Sequence, residues 1–322
     1  MSIFFTTSAL ATACAITAFF GTAYVAASPR FARKLFYEAS LFNNRAGNSP
    51  FSHEVMEAFA WWHKSEHWIT ASDGKRFHGY LFKHESSEDV VLYCIGRTST
   101  ITNCLSHVEL LLESGYSVFI IEYRGFGASD KITMHVETIC EDGRRALRYL
   151  IDDIGYKPEQ ITLYGESLGT GVASHILDDY QRNKSKKQAN LAGIILQSGF
   201  QSLEAVGRQM FWLLRSFPGI LFPRNPYGLN NGRIMRGKHP PLLILHGKQD
   251  STISWLQAEA LFFEASEPKS LRYLEHSDHR DLATADRAEY IAAVSQFRSR
   301  LRTTPKLGFW RKVMSKLWKV AA

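Results

Sequence analysis

The chain has 322 residues, 45% hydrophobic and 21% charged, values near the globular average that exclude a disordered chain, a collagen or a long coiled coil. Lys and Arg exceed Asp and Glu by seven, but eight of the 38 basic residues sit at the two ends: Arg30, Arg33 and Lys34, then Lys306, Arg311, Lys312, Lys316 and Lys319. The other 30 face 31 acids, and so balanced a middle argues against a nucleic-acid-binding face.

Residues 3–27 carry no charge. At about 1.5 Å rise per residue they are long enough to cross a bilayer core of roughly 30 Å. This predicts a single-pass anchor within residues 1–30. The cations that follow place the rest of the chain in the cytoplasm by the positive-inside rule. The alternative is a cleaved signal sequence, with Val25-Ala26-Ala27 as the small-residue site and a secreted or periplasmic product. Against it, no Lys or Arg precedes the apolar run. Residues 31–65 read as a linker or helical lead-in. The cysteines Cys14, Cys94, Cys104 and Cys140 lack C-x-x-C spacing and read as reduced thiols.

From residue 66 to 302 the pattern is one of alternating strands and helices. Segments 67–71 and 76–83 flank Ser72-Asp73-Gly74, a hairpin at a sheet edge. Continuous apolar runs at 90–95, 118–121, 161–164, 193–196 and 242–245 predict strands covered on both faces, as in a parallel sheet. Helical stripes fall between and after them: Leu105, Val108, Leu111 and Leu112; Val136, Ile139, Cys140, Leu147 and Leu150; Val172, Ala173, Ile176 and Leu177; Tyr290, Val294, Phe297 and Leu301. The fold class is therefore α/β, a mostly parallel doubly wound sheet. Residues 201–240 break the alternation with an apolar, aromatic insertion (Met210 to Leu214, Phe217, Ile220 to Phe222) of the kind that caps a site. At the far end, Trp310, Val313, Met314, Leu317, Trp318 and Ala321 share one helical face and basic residues fill the other. Residues 303–322 are thus expected to form a helix lying on a membrane surface.

The chemistry is expected at strand ends. Gly165-Glu166-Ser167-Leu168-Gly169 joins a strand to a helix through a turn sharp enough to need glycine on both sides, which pushes the Ser167 hydroxyl outward as a nucleophile. A hydroxyl needs a base and the base an orienting acid. Asp250 follows the strand at 242–245, and two histidines, His276 and His279, follow a further strand at 270–275. Backbone N–H groups of Leu168 and of Arg97, in the loop after 90–95, are the candidate oxyanion donors. No H-E-x-x-H or paired histidine spacing occurs, so no metal and no cofactor is implied.

These motifs resemble the α/β-hydrolase superfamily, and within it a branch of membrane-anchored serine hydrolases that includes monoacylglycerol and lysophospholipid lipases and protein depalmitoylases. The resemblance runs from about Glu66 to Arg302. It rests on Ser72-Asp73-Gly74, on Glu122-Tyr123-Arg124-Gly125-Phe126-Gly127-Ala128-Ser129, on the Ser167 motif, on His246-Gly247-Lys248-Gln249-Asp250 and on His279-Arg280-Asp281-Leu282. That branch carries its histidine first in H-N-D-L, which selects His279 over His276. Ile95-Gly96-Arg97 stands where the branch has His-Gly-Asn, and the segment after Ser129 lacks the branch's Gly-x-Pro. The resemblance implies a membrane-associated serine hydrolase of carboxylic esters on lipid or lysolipid acyl chains. A protein depalmitoylase, or a catalytically silent interaction protein of the same fold, is the alternative; a peptidase is disfavoured because no specificity domain is evident.

Overall fold

The computed structural model describes residues 62–97, 99–185, 188–210 and 228–303. Eight strands form one sheet in the order β1-β2-β4-β3-β5-β6-β7-β8. β1 (His63–Thr70) and β2 (Arg76–Lys83) form the expected hairpin, and β2 pairs antiparallel with β4 (Ser117–Glu122). From there β3 (Val90–Cys94), β5 (Ile161–Glu166), β6 (Gly193–Gln197), β7 (Leu242–Gly247) and β8 (Lys269–Leu274) run parallel. Every residue of β3, β4, β5, β6 and β7 is buried, because helices cover both faces. That is why these strands carry uninterrupted apolar runs and no polar alternation.

The helices are α1 (Leu105–Glu113), α2 (Val136–Asp152), α3 (Leu168–Asn183), α4 (Leu203–Met210), α5 (Asn231–Met235), α6 (Leu256–Glu264), α7 (Leu282–Ala285) and α8 (Arg287–Thr303). The four apolar stripes fall on α1, α2, α3 and α8. α6 has no counterpart in the sequence reading, because apolar side chains point to both sides of it: Leu256 and Phe263 are exposed while Ala258 and Leu261 are buried. Within the 201–240 insertion, α4 and α5 are joined by an isolated bridge between Ser202 and Asn230.

The single-pass anchor requires correction. The longest described helices, α2 and α8, have 17 residues each and carry many charges. At about 26 Å they are also shorter than a bilayer core of roughly 30 Å. Among the described residues no helix is long and apolar enough to cross a membrane. The described residues thus give the N-terminal anchor, and the cytoplasmic placement drawn from it, no support. The segment at 3–27, the basic helix at 310–321 and residues 211–227 of the insertion lie outside the described residues.

Two of the motifs close one end of the fold. Arg124, after β4, is 1% exposed and holds three carboxylates: Nη1 to Asp73 Oδ1 at 2.8 Å, Nη2 to Glu141 Oε2 at 2.7 Å and Nε to Asp142 Oδ1 at 2.7 Å. The Arg124 amide donates to Asp142 Oδ2 and the Ser72 amide to Glu141 Oε1. The hairpin turn, the β4 exit and α2 are thereby locked together. Exchanging Arg124 for Met leaves Asp142 buried without a counter-charge, and the variant is expected to lose about 3–5 kcal/mol of stability in urea unfolding. Partial burial alone would raise the Glu141 carboxyl, but hydrogen bonds from Ser72 and Arg124 hold it at about 2. Because that lies below its ordinary value of 4.5, its stabilising contribution is complete above pH 4.5 and is lost as pH falls toward 2. Wild type should therefore lose stability more steeply than Glu141→Gln across that window.

Candidate functional site

Parallel pairing brings the carboxyl ends of β5, β6, β7 and β8 to one rim of the sheet: Glu166 lies opposite Gln197, and Gly247 opposite Leu274. Ser167 follows β5 directly. Its backbone sits at φ 53°, a left-handed conformation that L side chains rarely adopt, and α3 begins at the next residue. The turn is possible because strand and helix touch. A Cβ on Gly165 would lie 2.4 Å from the Gly169 carbonyl oxygen, and one on Gly169 would lie 1.9 Å from the Cys94 carbonyl oxygen. The amide of Ser167 donates to Gln197 O at 2.9 Å, fixing the corner to β6.

Asp250 lies in the loop after β7 and His279 in the loop after β8. The structure brings both to Ser167. His279 Nε2 is 3.1 Å from Ser167 Oγ and His279 Nδ1 is 2.8 Å from Asp250 Oδ2. The His279 ring is 12% exposed and the Asp250 side chain fully buried, so water reaches the serine end of this chain more easily than the carboxylate end. His276 takes no part; it is exposed and its amide donates to Asp286 Oδ2. Burial alone would raise the Asp250 carboxyl. Hydrogen bonds from His246 and His279, the nearby His279 charge and the Ile253 amide instead hold it well below the usual carboxylate range. His279 is further seated by Asp278, whose Oδ1 accepts from the amides of His279 and Ser251, both at 2.7 Å.

Leu168 is the first residue of α3, so its N–H belongs to the first-turn donors that no carbonyl of the same helix can satisfy. The loop carrying Arg97 passes just above: a Cβ on Gly96 would sit 3.4 Å from Ser167 Cβ. Although Ile95-Gly96-Arg97 departs from His-Gly-Asn, this loop has its own supports. Tyr123 Oη donates to Ile95 O at 3.2 Å, and Glu122 Oε1 accepts the Ile101 amide at 3.0 Å.

Three features of the site were not read from the sequence. Beneath the Ser167 corner lies a polar network: Glu166 accepts from Tyr93 Oη and, at 3.8 Å, from Cys104 Sγ, while Gln197 bonds Tyr164 Oη and His107 Nε2. Tyr164 Oη continues to Tyr290 Oη on α8 at 2.8 Å, and burial pushes the His107 imidazole down, keeping it a neutral acceptor for Gln197. Second, Lys248 Nζ sits 3.8 Å from the ring centroids of both Trp255 and Tyr273, tying the Asp250 loop to β8. Third, His246 reaches Asp250 from within the sheet at 3.2 Å. Of these only His246 leaves a trace in the sequence, its four-residue spacing from Asp250.

The chain is similar to several known proteins. The family model described as serine aminopeptidase, S33 matches residues 85–237, a stretch that contains Ser167 and ends before Asp250 and His279. Among curated proteins, the uncharacterized protein YfhR of Escherichia coli K12 is 28% identical over 264 residues, 80% of this chain and 84% of that protein. The uncharacterized protein Rv2307c of Mycobacterium tuberculosis is 26% identical over 238 residues, 71% of this chain and 77% of that protein. Among solved structures, an α/β hydrolase from Vibrio vulnificus superposes with a TM-score of 0.62 at 16% identity, covering 86% of this chain and 94% of its own. The esterase Pf2001 from Pyrococcus furiosus does so at 0.60 and 19% identity, over 76% of this chain and 93% of its own. The protein therefore has the α/β-hydrolase fold. Family match and fold together support a hydrolase.

The contact at Gly169 yields a direct check. Gly169→Ala drives a methyl into the Cys94 backbone, which has no side-chain freedom with which to yield. A loss of about 3 kcal/mol or more in chemical unfolding is expected, whereas a stability within error of wild type would mean that helix and strand are not this close.

Proposed function

We propose that the protein is a serine hydrolase of carboxylic esters, with Ser167 as nucleophile, His279 as general base and acid, and Asp250 as the orienting carboxylate. The observation that carries this reading is the continuous hydrogen-bonded path from Ser167 Oγ through both nitrogens of His279 to Asp250. In that arrangement Nδ1–H donates to the carboxylate, so Nε2 presents its lone pair to the hydroxyl.

Ser167 Oγ attacks the acyl carbonyl while its proton passes to His279 Nε2. The amides of Leu168 and Arg97 donate to the oxygen that becomes negative. Collapse of the tetrahedral adduct breaks the acyl–oxygen bond, and the imidazolium returns its proton to the departing alkoxide. Water then attacks the acyl-enzyme with His279 again as base, releasing the acid and restoring the Ser167 hydroxyl. Each step uses side chains and backbone groups of this chain.

An acyl ester, as in a lipid or lysolipid, is the substrate class we favour; the resemblance of the Ser167, Asp250 and His279 motifs to acyl-ester hydrolases supports it. An S-acyl protein thioester is the runner-up, since the same adduct forms from either. With p-nitrophenyl butyrate, Ser167→Ala and His279→Ala are each expected to reduce kcat by about 10⁴-fold or more, and Asp250→Asn by about 10⁴-fold. Full turnover by folded Ser167→Ala would overturn the assignment. Comparing a long-chain monoacylglycerol, an S-palmitoyl peptide and an aminoacyl p-nitroanilide ranks ester, thioester and amide directly. The ester is expected to give the largest kcat/KM, and preference for the anilide would favour a peptidase.

A further inference from the structure

His246, next to last in β7, is 0% exposed and takes no part in the proton path proposed above. Its ring nevertheless approaches the same carboxylate oxygen as His279, Asp250 Oδ2. His246 Nε2 is 2.8 Å from Ile253 O and 3.2 Å from Asp250 Oδ2. Both of these atoms are acceptors at neutral pH, so Nε2 must carry a hydrogen; a lone pair there would face two others. Nδ1 is buried and finds no hydrogen-bond partner among the described residues. The ring thus donates its N–H to Ile253 O, with Asp250 Oδ2 also nearby, and its bare nitrogen is buried.

Asp250 is thus ringed by donors. Oδ1 accepts the amides of Thr252 at 2.9 Å and Ile253 at 2.7 Å, while Oδ2 accepts His279 at 2.8 Å and lies 3.2 Å from His246 Nε2, whose own hydrogen bond goes to Ile253 O. Ile253 closes the circuit, its N–H on Asp250 and its carbonyl on His246. Three hydrogen bonds and the adjacent imidazole N–H restrain the carboxylate from rotating or sliding away from His279 as that ring gains and loses charge.

We propose that His246 is a positioning residue for the proton relay: its Nε2–H, donated to Ile253 O, lies close enough to Asp250 Oδ2 to fix that oxygen beside His279 and draw off part of its charge. The inference rests on the hydrolase reading and adds a fourth member to the chain of groups. Two consequences follow. Without His246 the carboxylate loses one restraint, so His279 is held less firmly and turnover falls. All of the Oδ2 charge is then directed at His279, so the imidazolium is stabilised and the base loses its proton at higher pH.

Charged groups beside this cluster among the described residues are Asp278, which bonds the backbone of His279 and Ser251, Asp281, whose Oδ1 accepts the Asp278 amide, and Arg280, next to His279 in the chain; none is altered in the variants. Phe fills the His246 space without a donor, and Gln places an amide N–H near the position of Nε2. The readout is the rate at which a fluorophosphonate probe modifies Ser167 between pH 4.5 and 9, which needs no knowledge of the substrate. His246→Phe is expected to lower the plateau rate about 10-fold to 100-fold. It should also move the acid limb upward by about 0.5–1 pH unit. His246→Gln should return the limb toward wild type. A limb that stays put or moves down in His246→Phe, or one that moves equally in both variants, overturns the proposal. If His246→Phe does not fold, ¹⁵N-histidine NMR of wild type decides. The hydrogen is expected on His246 Nε2 at neutral pH, and a hydrogen on Nδ1 with a bare Nε2 overturns the proposal. Absence of any Ser167 labelling in folded wild type is a separate result that overturns the hydrolase reading itself.

Discussion

An imidazole can draw a proton from a hydroxyl only if its other nitrogen already holds one and is kept there. In this chain that condition rests on the 2.8 Å contact between His279 Nδ1 and Asp250 Oδ2. The contact fixes the tautomer, aims Nε2 at Ser167 and offsets the positive charge that the ring would acquire. Much of the surrounding architecture serves to keep these two side chains, 29 positions apart in sequence, at hydrogen-bond distance. Parallel pairing of β7 with β8 sets their loops side by side, the Lys248 ammonium between Trp255 and Tyr273 ties those loops together, and Asp278 seats His279 from below.

The same logic explains where polar groups are buried. A doubly covered sheet can bury apolar side chains freely, but each buried carboxylate must have its own donors. Glu122 accepts from His78 and from the amides of Ile101 and Ala128, so it ties the Arg97 loop to the loop after β4. Asp142 and Glu141 are matched by Arg124. Glu166, one residue before the nucleophile, is held by Tyr93 and Cys104. None of these groups reaches Ser167 directly. They make the backbone beneath it rigid, and a hydroxyl on a corner at φ 53° stays exposed only on a rigid support.

Much of this was legible from the residues. Uninterrupted apolar runs located the inner strands to within a residue or two, and a glycine on each side of Ser167 marked the sharp turn. The order Ser167, Asp250, His279 followed from strand ends, whereas the selection of His279 over His276 needed the resemblance; both lie near one strand terminus and differ only in loop depth. What stayed hidden depends on pairing at a distance. Arg124 and Asp73 are 51 positions apart, and nothing local says that one guanidinium will hold three carboxylates. His246 reads as the end of an apolar strand, because sequence periodicity does not reveal that an inward-facing ring has found an acid. α6 escaped notice because its exposed Leu256 and Phe263 blur the stripe that a helix needs to be seen.

On the mechanism proposed, Ser167 carries the acyl group during turnover. This is tested most directly by acid-quenching the protein during hydrolysis of p-nitrophenyl butyrate and locating the adduct by peptide mass spectrometry. A butyryl group is expected on the peptide containing Ser167 and is expected to be absent from the Ser167→Ala protein. Continued product release with no adduct at Ser167, or an adduct on a different side chain that rises and decays with turnover, would contradict it.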